Sequence, residues 1–419
     1  MTRIVFDTTQ LVHWPGSLTG IPRVMDELAR RFQKADDTVE FVSWVTDAHA
    51  VARIDLDRFH GEGGVHYIDP TEDAPRWART VERLWGRIAR IESVPPVGPY
   101  LGRISRRLSP SRLGSVTPFE LHADDVLVIG WGEWWDPNFI RFVVDAAGQG
   151  VKVVQMVHDL GPVSQPHLAG NSSSFIDYFT EVLPVAALLV SVSDHTRQEL
   201  LRWGAKLGLN DLPITVIREG DTFTPTETLR PSSDHLADGF GDPATFALCV
   251  GTIEAKKNHA LLYYVYKQAA RRKIALPPMV IVGRRGWRTD DIYGLLTEDP
   301  EIADRFVFLH DASDAELAWL YENCRYTVFP SFFEGWGIPI AESVSRGVPC
   351  LCSSAASMPE IAPGAVRHFH PDAPLELLSL MEELNDDEAL DRARQEVATY
   401  IPTSWDQTYA ELNCALAEI

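Results

Sequence analysis

Residues 330–354 read PSFFEGWGIPIAESVSRGVPCLCSS. The run YTVFPS (326–331) that opens this stretch is apolar and β-branched, as a strand buried on both faces requires. A loop with Gly335 and Gly337 follows, then a short helix. Gly347 stands at the position just past the helix end, where a left-handed residue stops a helix. The run VPCLCS (348–353) is a second buried strand, so the whole reads as a strand–glycine loop–helix–strand unit. Glycines in such a loop let backbone N–H groups approach a ligand, and the helix N-terminus favours an anion. Glu334 in the loop and Glu342 inside the helix are eight positions apart. A carboxylate inside such a helix can accept two hydroxyl hydrogen bonds from a ligand, and one in the loop can sit beside a reacting group. Two glutamates at a given spacing are common by chance; the loop-and-helix context is what singles out this pair.

The same pattern runs through the chain. Strands are predicted at RIVFDTT (3–9), DVLVIG (125–130), VKVVQMVHD (151–159), ALLVSVS (187–193) and ITVIREG (214–220). A second set follows at FALCVGT (246–252), PMVIVG (278–283), RFVFLH (305–310), and the two strands already named. Helical periods fall between them. One starts after Gly20, with Pro22 in its first turn and Ile21, Val24, Leu28 and Phe32 on a face. Another follows Asn258 as its expected cap, with Leu261, Leu262, Val265 and Ala269 on a face. Strands alternating with helices predict an α/β fold with parallel sheets, built twice. The segment 222–244, TFTPTETLRPSSDHLADGFGDPA, has turn residues and no apolar period, and is read as the linker. It separates an N-terminal Rossmann-like domain (1–221) from a second one (245–395), with a last helical segment over 396–419.

At 419 residues, two or three domains of ~150 residues are expected. Hydrophobic residues at 45% and charged residues at 23% exclude a mainly disordered chain. The formal charge of −21 argues against a nucleic-acid partner, because phosphate backbones demand an excess of Lys and Arg. No run reaches the ~20 apolar residues of a membrane span, and MTRIVFDTTQ does not resemble a secretory leader. Five scattered cysteines, none in C-x-x-C, read as free thiols of a reducing cytoplasm. One stretch departs from the acidic background: residues 76–112 hold nine arginines against Glu82 and Glu92. Trp77, Val81, Leu84, Trp85, Ile88 and Ile91 recur there at helical spacing. Two readings stand side by side, an insertion packed on its own domain and a basic amphipathic helix lying against an anionic membrane.

Three further segments carry chemistry. In GTIEAKKNHALL (251–262), Lys256 and Lys257 precede a helix start, where cations oppose the helix dipole unless an anion sits there too. A diphosphate would resolve that conflict. Arg284 and Arg285 after PMVIVG are a second candidate phosphate pair. In VHDLGP (157–162), His158 ends a buried strand, at the edge where open α/β sheets bind ligands. SLTGIPRV (17–24) is a glycine turn opening the first helix. WGEWWDPN (131–138) gathers tryptophans after a strand, and His13 and Trp14 follow the first strand. Trp134, Trp135 and His13 are the candidate acceptor contacts, since aromatic faces suit sugar rings; core packing of at least two of the three tryptophans is the equal reading. A nicotinamide dehydrogenase is disfavoured, because FDTTQLVHWPGSLTG lacks the three-glycine pattern.

Together these motifs resemble glycosyltransferase family 4, and the resemblance covers nearly the whole chain. Residues 330–361 are similar to the family's E-x7-E region, and GTIEAKKN is similar to its G-T-(L)-E-x-R-K-N segment. VHDL, SVSDHTRQEL (191–200) and Ser404-Trp405 also fit. The resemblance implies a GT-B fold, two Rossmann-like domains facing across a cleft with the C-terminal helix crossing back. It implies that Glu342 holds the donor ribose, that Glu334 contacts the transferred sugar, and that Lys256 and Lys257 bind the diphosphate. Gly335, Trp336 and Gly337 would line the sugar-phosphate pocket, with Gly20 near the phosphates and Arg284 assisting. His158 would contact the sugar; Glu334, His158 and Lys257 are the catalytic candidates. Lys256 stands where arginine is usual, and REGD (218–221) replaces an N-G-V-D-like turn, so it is assigned no role.

The implied chemistry is transfer with retention of configuration, with no metal and no other cofactor. Asp55-Leu56-Asp57, a string that binds Mn²⁺ in a different glycosyltransferase fold, is read as incidental. The overall look is closest to bacterial surface-polysaccharide mannosyltransferases. The expected donor is therefore GDP-mannose and the expected acceptor a glycan or lipid-linked glycan. A UDP- or dTDP-dependent glucosyl- or rhamnosyltransferase, or a catalytically silent assembly subunit, remains the alternative.

Overall fold

The computed structural model describes residues 3–14, 20–35, 38–56, 118–170, 172–223, 228–231, 245–286 and 289–419. The basic stretch 76–112, and Asp57 of the D-x-D string, lie outside the described residues. Thirteen strands are described. The first seven are β1 Ile4–Asp7, β2 Glu40–Val45, β3 Ala50–Arg53, β4 Val126–Ile129, β5 Lys152–Val157, β6 Ala186–Ser191 and β7 Ile214–Val216. They form one sheet in the order β3-β2-β1-β4-β5-β6-β7, parallel except for the β2–β3 edge pair. The other six are β8 Ala247–Val250, β9 Met279–Val282, β10 Phe306–Leu309, β11 Thr327–Phe329, β12 Cys350–Ser353 and β13 Arg367–Phe369. They form an all-parallel sheet in the order β10-β9-β8-β11-β12-β13.

All ten strands expected from the apolar runs are present, and three were unread. In β2 the polar residues Glu40 and Ser43 fall three apart, a helical rather than a strand spacing. β3 and β13 are short edge strands, and AVAR and RHF carry little β-branched signal.

In each sheet the order reverses direction beside the first strand of the domain, between β1 and β4 and between β8 and β11. The crevice outside the carboxyl ends of strands at such a reversal is the ligand position of open α/β sheets. The sequence segments that follow β1, β4 and β5 in one domain, and β8 and β11 in the other, meet there.

The crossing helix Trp405–Ala417 puts Trp405, Leu412 and Leu416 into the first domain's core with Phe6 and Phe32. Tyr409 meets Phe32 edge-on at 4.9 Å. Trp405 donates its indole N–H to the Thr222 carbonyl at 2.8 Å. The unassigned REGD turn anchors this crossing: Asp221 Oδ2 accepts from the Tyr400 hydroxyl at 2.6 Å and the Thr403 N–H at 2.7 Å. Burying Trp405 contributes roughly 2–3 kcal/mol, enough to keep the last helix docked on the other domain. Among the described residues no helix is long and apolar enough to cross a membrane. All five cysteines are free thiols; Cys414 is exposed and the others are buried.

Candidate functional site

A cavity of about 530 Å³ lies between the two domains. Its first-domain wall includes Gln10, Trp14, Gly20, Arg23, Trp131, His158 and Glu219. The second-domain wall includes Lys256, Lys257, Arg284, Glu334, Gly335, Trp336, Gly337 and Glu342. Apart from Arg285, every catalytic and donor-binding candidate from the sequence therefore lines one space, although they come from segments far apart in the chain.

The domains touch at the glycine loop. A Cβ added at Gly335 would lie 1.7 Å from the His158 carbonyl oxygen, so only a glycine lets this loop press against the end of β5. Gly337 has φ +111 and starts the helix Ile338–Ser345. That helix ends as expected: Gly347 has φ +73, its N–H donates to Val344, and the Val348 N–H donates to Ser343. Glu334 and Glu342 are thereby held at two depths of the cavity.

Lys257 donates to Glu334 Oε1 at 2.7 Å, with both side chains less than a fifth exposed. Burial would push the Glu334 carboxyl up, but Lys257 and Lys256 outweigh it and hold it below the usual range. Lys256 lies 3.7 Å from Asp159 across the cleft and 3.8 Å from Glu254. Burial would lower its pKa, yet Asp159, Glu334 and Glu254 raise it above the ordinary lysine value. The charge conflict noted in the sequence is thus already met by carboxylates. An ammonium has three donors, so Lys257 can hold Glu334 and reach an anion as well.

The expected cap works differently. Asn258 precedes the helix His259–Arg272 in a left-handed conformation, φ +53, without capping it through its side chain. Its side-chain amide instead donates to the Pro330 carbonyl at 3.0 Å and the Pro371 carbonyl at 2.8 Å. It fixes the lysine loop to the start of the glutamate loop, because a donor buried there is worth more on an orphan carbonyl.

His158 is buried and both ring nitrogens are engaged. Nδ1 faces Glu219 Oε1 at 2.8 Å and Nε2 faces the Gly130 carbonyl at 2.9 Å. A carbonyl only accepts, so Nε2 carries hydrogen, while Nδ1 is held against the Glu219 carboxyl. His158 therefore offers its ring surface to the cavity, not a free nitrogen. Glu219, from the turn given no role, is a site residue that the sequence reading missed. Its position just past β7, on the same sheet edge as His158, is the signal that pointed to it.

Glu342 is held from both sides, by Tyr321 at 3.0 Å on Oε2 and by Arg23 at 3.1 Å on Oε1. Burial pushes its carboxyl up, against the pull of Arg23 and Tyr321. Arg23 was also missed; a charged residue between Ile21 and Val24 at the buried start of a helix was its signal. Gly20 borders the cavity just ahead of this helix, with φ +58. Arg284 lines the cavity, whereas Arg285 is turned to Thr289 and Asp290 and stacks over Tyr293.

Two of the acceptor candidates, Trp134 and Trp135, are not brought in. Trp134 packs edge-on against Trp135 and Phe175, and Trp135 is 45% exposed; neither lines the cavity. Trp131 and Trp14 line it instead, with Trp131 tilted against the His158 ring at 6.0 Å. The turn after β4 sends Trp131 to the cleft and folds the other two back over the domain. His13 ends the helix Thr9–His13, and its side chain is outside the described residues.

Residues 237–400 match the glycosyl transferases group 1 family. Among curated relatives, O-antigen chain mannosyltransferase B of Escherichia coli is 29% identical over 242 residues, covering 57% of this chain and 61% of that protein. The serotype-specific mannosyltransferase WbdA of E. coli is 24% identical over 285 residues, 65% of this chain and 35% of that protein. The matches thus span about three fifths and one third of those relatives. Among solved structures, Anabaena HepE in complex with UDP and glucose superposes with a TM-score of 0.63 at 12% identity, covering all of both chains. Sucrose-phosphate synthase from Thermosynechococcus elongatus gives 0.60 at 17% identity, over all of this chain and 99% of the other. The fold likeness extends over the whole length, so the chain has the GT-B fold, and residues 237–400, which hold the second sheet with its lysine and glutamate loops, are similar to the group 1 glycosyl transferases.

Proposed function

We propose that this chain is a retaining glycosyltransferase of surface-polysaccharide synthesis. It moves mannose from GDP-mannose to a glycan or lipid-linked glycan, without a metal or other cofactor. The observation that carries this reading is the convergence of Glu342, Lys256, Lys257 and Glu334 with the Gly335–Gly337 loop on one interdomain cavity. The names of the curated relatives support mannose as the sugar.

In this reading Glu342 accepts the ribose hydroxyls, and Lys257, Lys256 and Arg284 take the diphosphate. Gly20, Gly335, Trp336 and Gly337 line the sugar-phosphate pocket. Glu334 lies at the transferred sugar, and the His158–Glu219 pair forms a rigid wall behind it. Trp131 and Trp14, rather than Trp134 and Trp135, receive the acceptor ring. The bond from the anomeric carbon to the diphosphate breaks, and the acceptor oxygen bonds to that carbon on the same face. The acceptor hydroxyl's proton passes to the leaving diphosphate oxygen. The protein supplies orientation and charge stabilisation, for which a positioned lysine suffices. The protein acts in the cytoplasm; co-sedimentation with anionic and with neutral liposomes separates the two readings of 76–112 given above, retention by anionic liposomes alone supporting membrane contact and equal recovery in the supernatant ending it.

The test of the donor site is a thermal-shift panel with GDP, UDP, ADP and dTDP in metal-free buffer. A nucleotide at 100 times its Kd adds about 2.7 kcal/mol of stability. A shift with GDP alone is expected. A shift with UDP or dTDP alone discards mannose, and no shift with any of them discards the donor reading.

A further inference from the structure

The Glu342 carboxylate is held from opposite sides of the cleft. Tyr321 reaches Oε2 from the second-domain helix Asp314–Asn323, and Arg23 reaches Oε1 from the first-domain helix Ile21–Ala35. Arg23 and Glu342 are 319 positions apart in sequence, and both side chains are less than a tenth exposed. The other end of the guanidinium meets Asp314 Oδ1 at 2.6 Å, and its plane lies 4.8 Å from the Phe223 ring centre in the segment joining the domains. A planar fork with five donors suits one group bridging two carboxylates, one at each end of the guanidinium. Each carboxylate oxygen has two acceptor positions. Tyr321 and Arg23 take one on each oxygen, which leaves one on each for a pair of neighbouring hydroxyls.

We propose that Arg23 is a positioning residue of the nucleotide site, reaching from the first domain to orient Glu342 so that its carboxylate accepts both ribose hydroxyls. The inference rests on the donor reading above and deepens it: donor affinity depends on a residue of the opposite domain. The groups that face Glu342 fix the expected pH behaviour. Arg23, Tyr321 and Arg346 favour its ionised form, whereas burial and Asp314 oppose it. Removing Arg23 therefore shifts protonation of Glu342 to higher pH, and a protonated carboxyl loses acceptor capacity.

The experiment compares Kd values by calorimetry for GDP and 2′-deoxy-GDP, or for UDP and 2′-deoxy-UDP if the uridine nucleotide binds more tightly. The wild type is measured beside Arg23→Gln and Arg23→Lys at pH 6 and pH 8. A hydrogen bond to a charged group gives the wild type a preference for the ribose form of about tenfold or more. In Arg23→Gln this preference falls to about twofold, and affinity drops further from pH 8 to pH 6 than in the wild type. A purely structural role would weaken both nucleotides equally and leave the ratio alone. A folded Arg23→Gln with wild-type preference, or with tighter binding, overturns the positioning role and leaves the donor reading standing. A wild type that binds neither ribonucleotide, or does not distinguish ribose from deoxyribose, overturns Glu342 as the ribose site and this inference with it. Should Arg23→Gln not fold, Arg23→Lys carries the test: a threefold loss of preference supports the role, and full preference overturns it.

Discussion

Replacing Lys257 by methionine keeps the aliphatic stem and removes the charge that faces Glu334 at 2.7 Å. With the two side chains 18% and 13% exposed, the pair is nearly out of water. The other nearby cation, Lys256, is already shared between Asp159 and Glu254. Removing one partner of such a pair leaves an uncompensated buried charge, at a cost of about 3–5 kcal/mol. In a domain of this size that lowers Tm by roughly 10 °C. The sign with pH follows from Glu334, whose folded pKa is held below its ordinary value. The wild-type pair contributes stability above the unfolded glutamate pKa of about 4.3, and loses it as pH falls through the lower folded value. In Lys257→Met burial acts unopposed by the lysine, the folded pKa rises, and the penalty is full at pH 7.5 and fades towards pH 4. The double variant Lys257→Met/Glu334→Gln removes both charges and recovers most of the loss, a coupling of at least about 2 kcal/mol. Calorimetric unfolding of the four species at pH 7.5 and pH 4.5 tests this. A loss below about 1 kcal/mol at pH 7.5, a loss independent of pH, or additivity in the double variant would refute the argument.

Two further outcomes are expected. Gly335→Ala sets a Cβ 1.7 Å from the His158 carbonyl oxygen, so the domains must part by an ångström or more. A displacement of that size costs on the order of 100-fold in turnover, whereas Gly347→Ala, strained at φ +73 but with nothing within 4 Å, should lower Tm and spare turnover. Glu133, buried beside Asp7 and Asp136, has its carboxyl pushed up to about 8, chiefly by burial. Its folded form keeps the proton that the unfolded chain releases near pH 4.3, so stability falls as pH rises from about 5 to 8. Glu133→Gln should match the wild type at pH 5 and exceed it at pH 8.5 by a few kcal/mol; equal stability at pH 8.5 would count against a protonated Glu133.

Much of the architecture was legible because it rests on short-range patterns. Buried parallel strands are continuous apolar runs, and those runs predicted both sheets apart from β2 and the edge strands β3 and β13. Gly347 announced the end of the helix that carries Glu342, since a left-handed residue is a local requirement of the backbone. The reading of Asn258 as a cap was a local inference that failed: its amide met two carbonyls supplied by residues 330 and 371. The tryptophan cluster left a choice between packing and sugar contact open for a similar reason. Spacing placed three rings after β4, but only packing against Phe175 and His158 decided that Trp131 faces the cleft.

What the sequence determined by itself was the alternation of strand and helix, the glycines that open the two lysine and glutamate loops, and hence which strand ends carry polar residues. These follow from backbone sterics and side-chain period, which act within a few residues. The tertiary structure alone decided the partners: Lys257 with Glu334, His158 with Glu219, and Arg23 with Glu342, separated by 77, 61 and 319 positions. The first two depend on which strand ends one sheet brings to the same edge, and the third on how two sheets are set against each other across the cleft. In a buried cleft each charge must find its counter-charge wherever the chain brings one, and no local pattern records that choice.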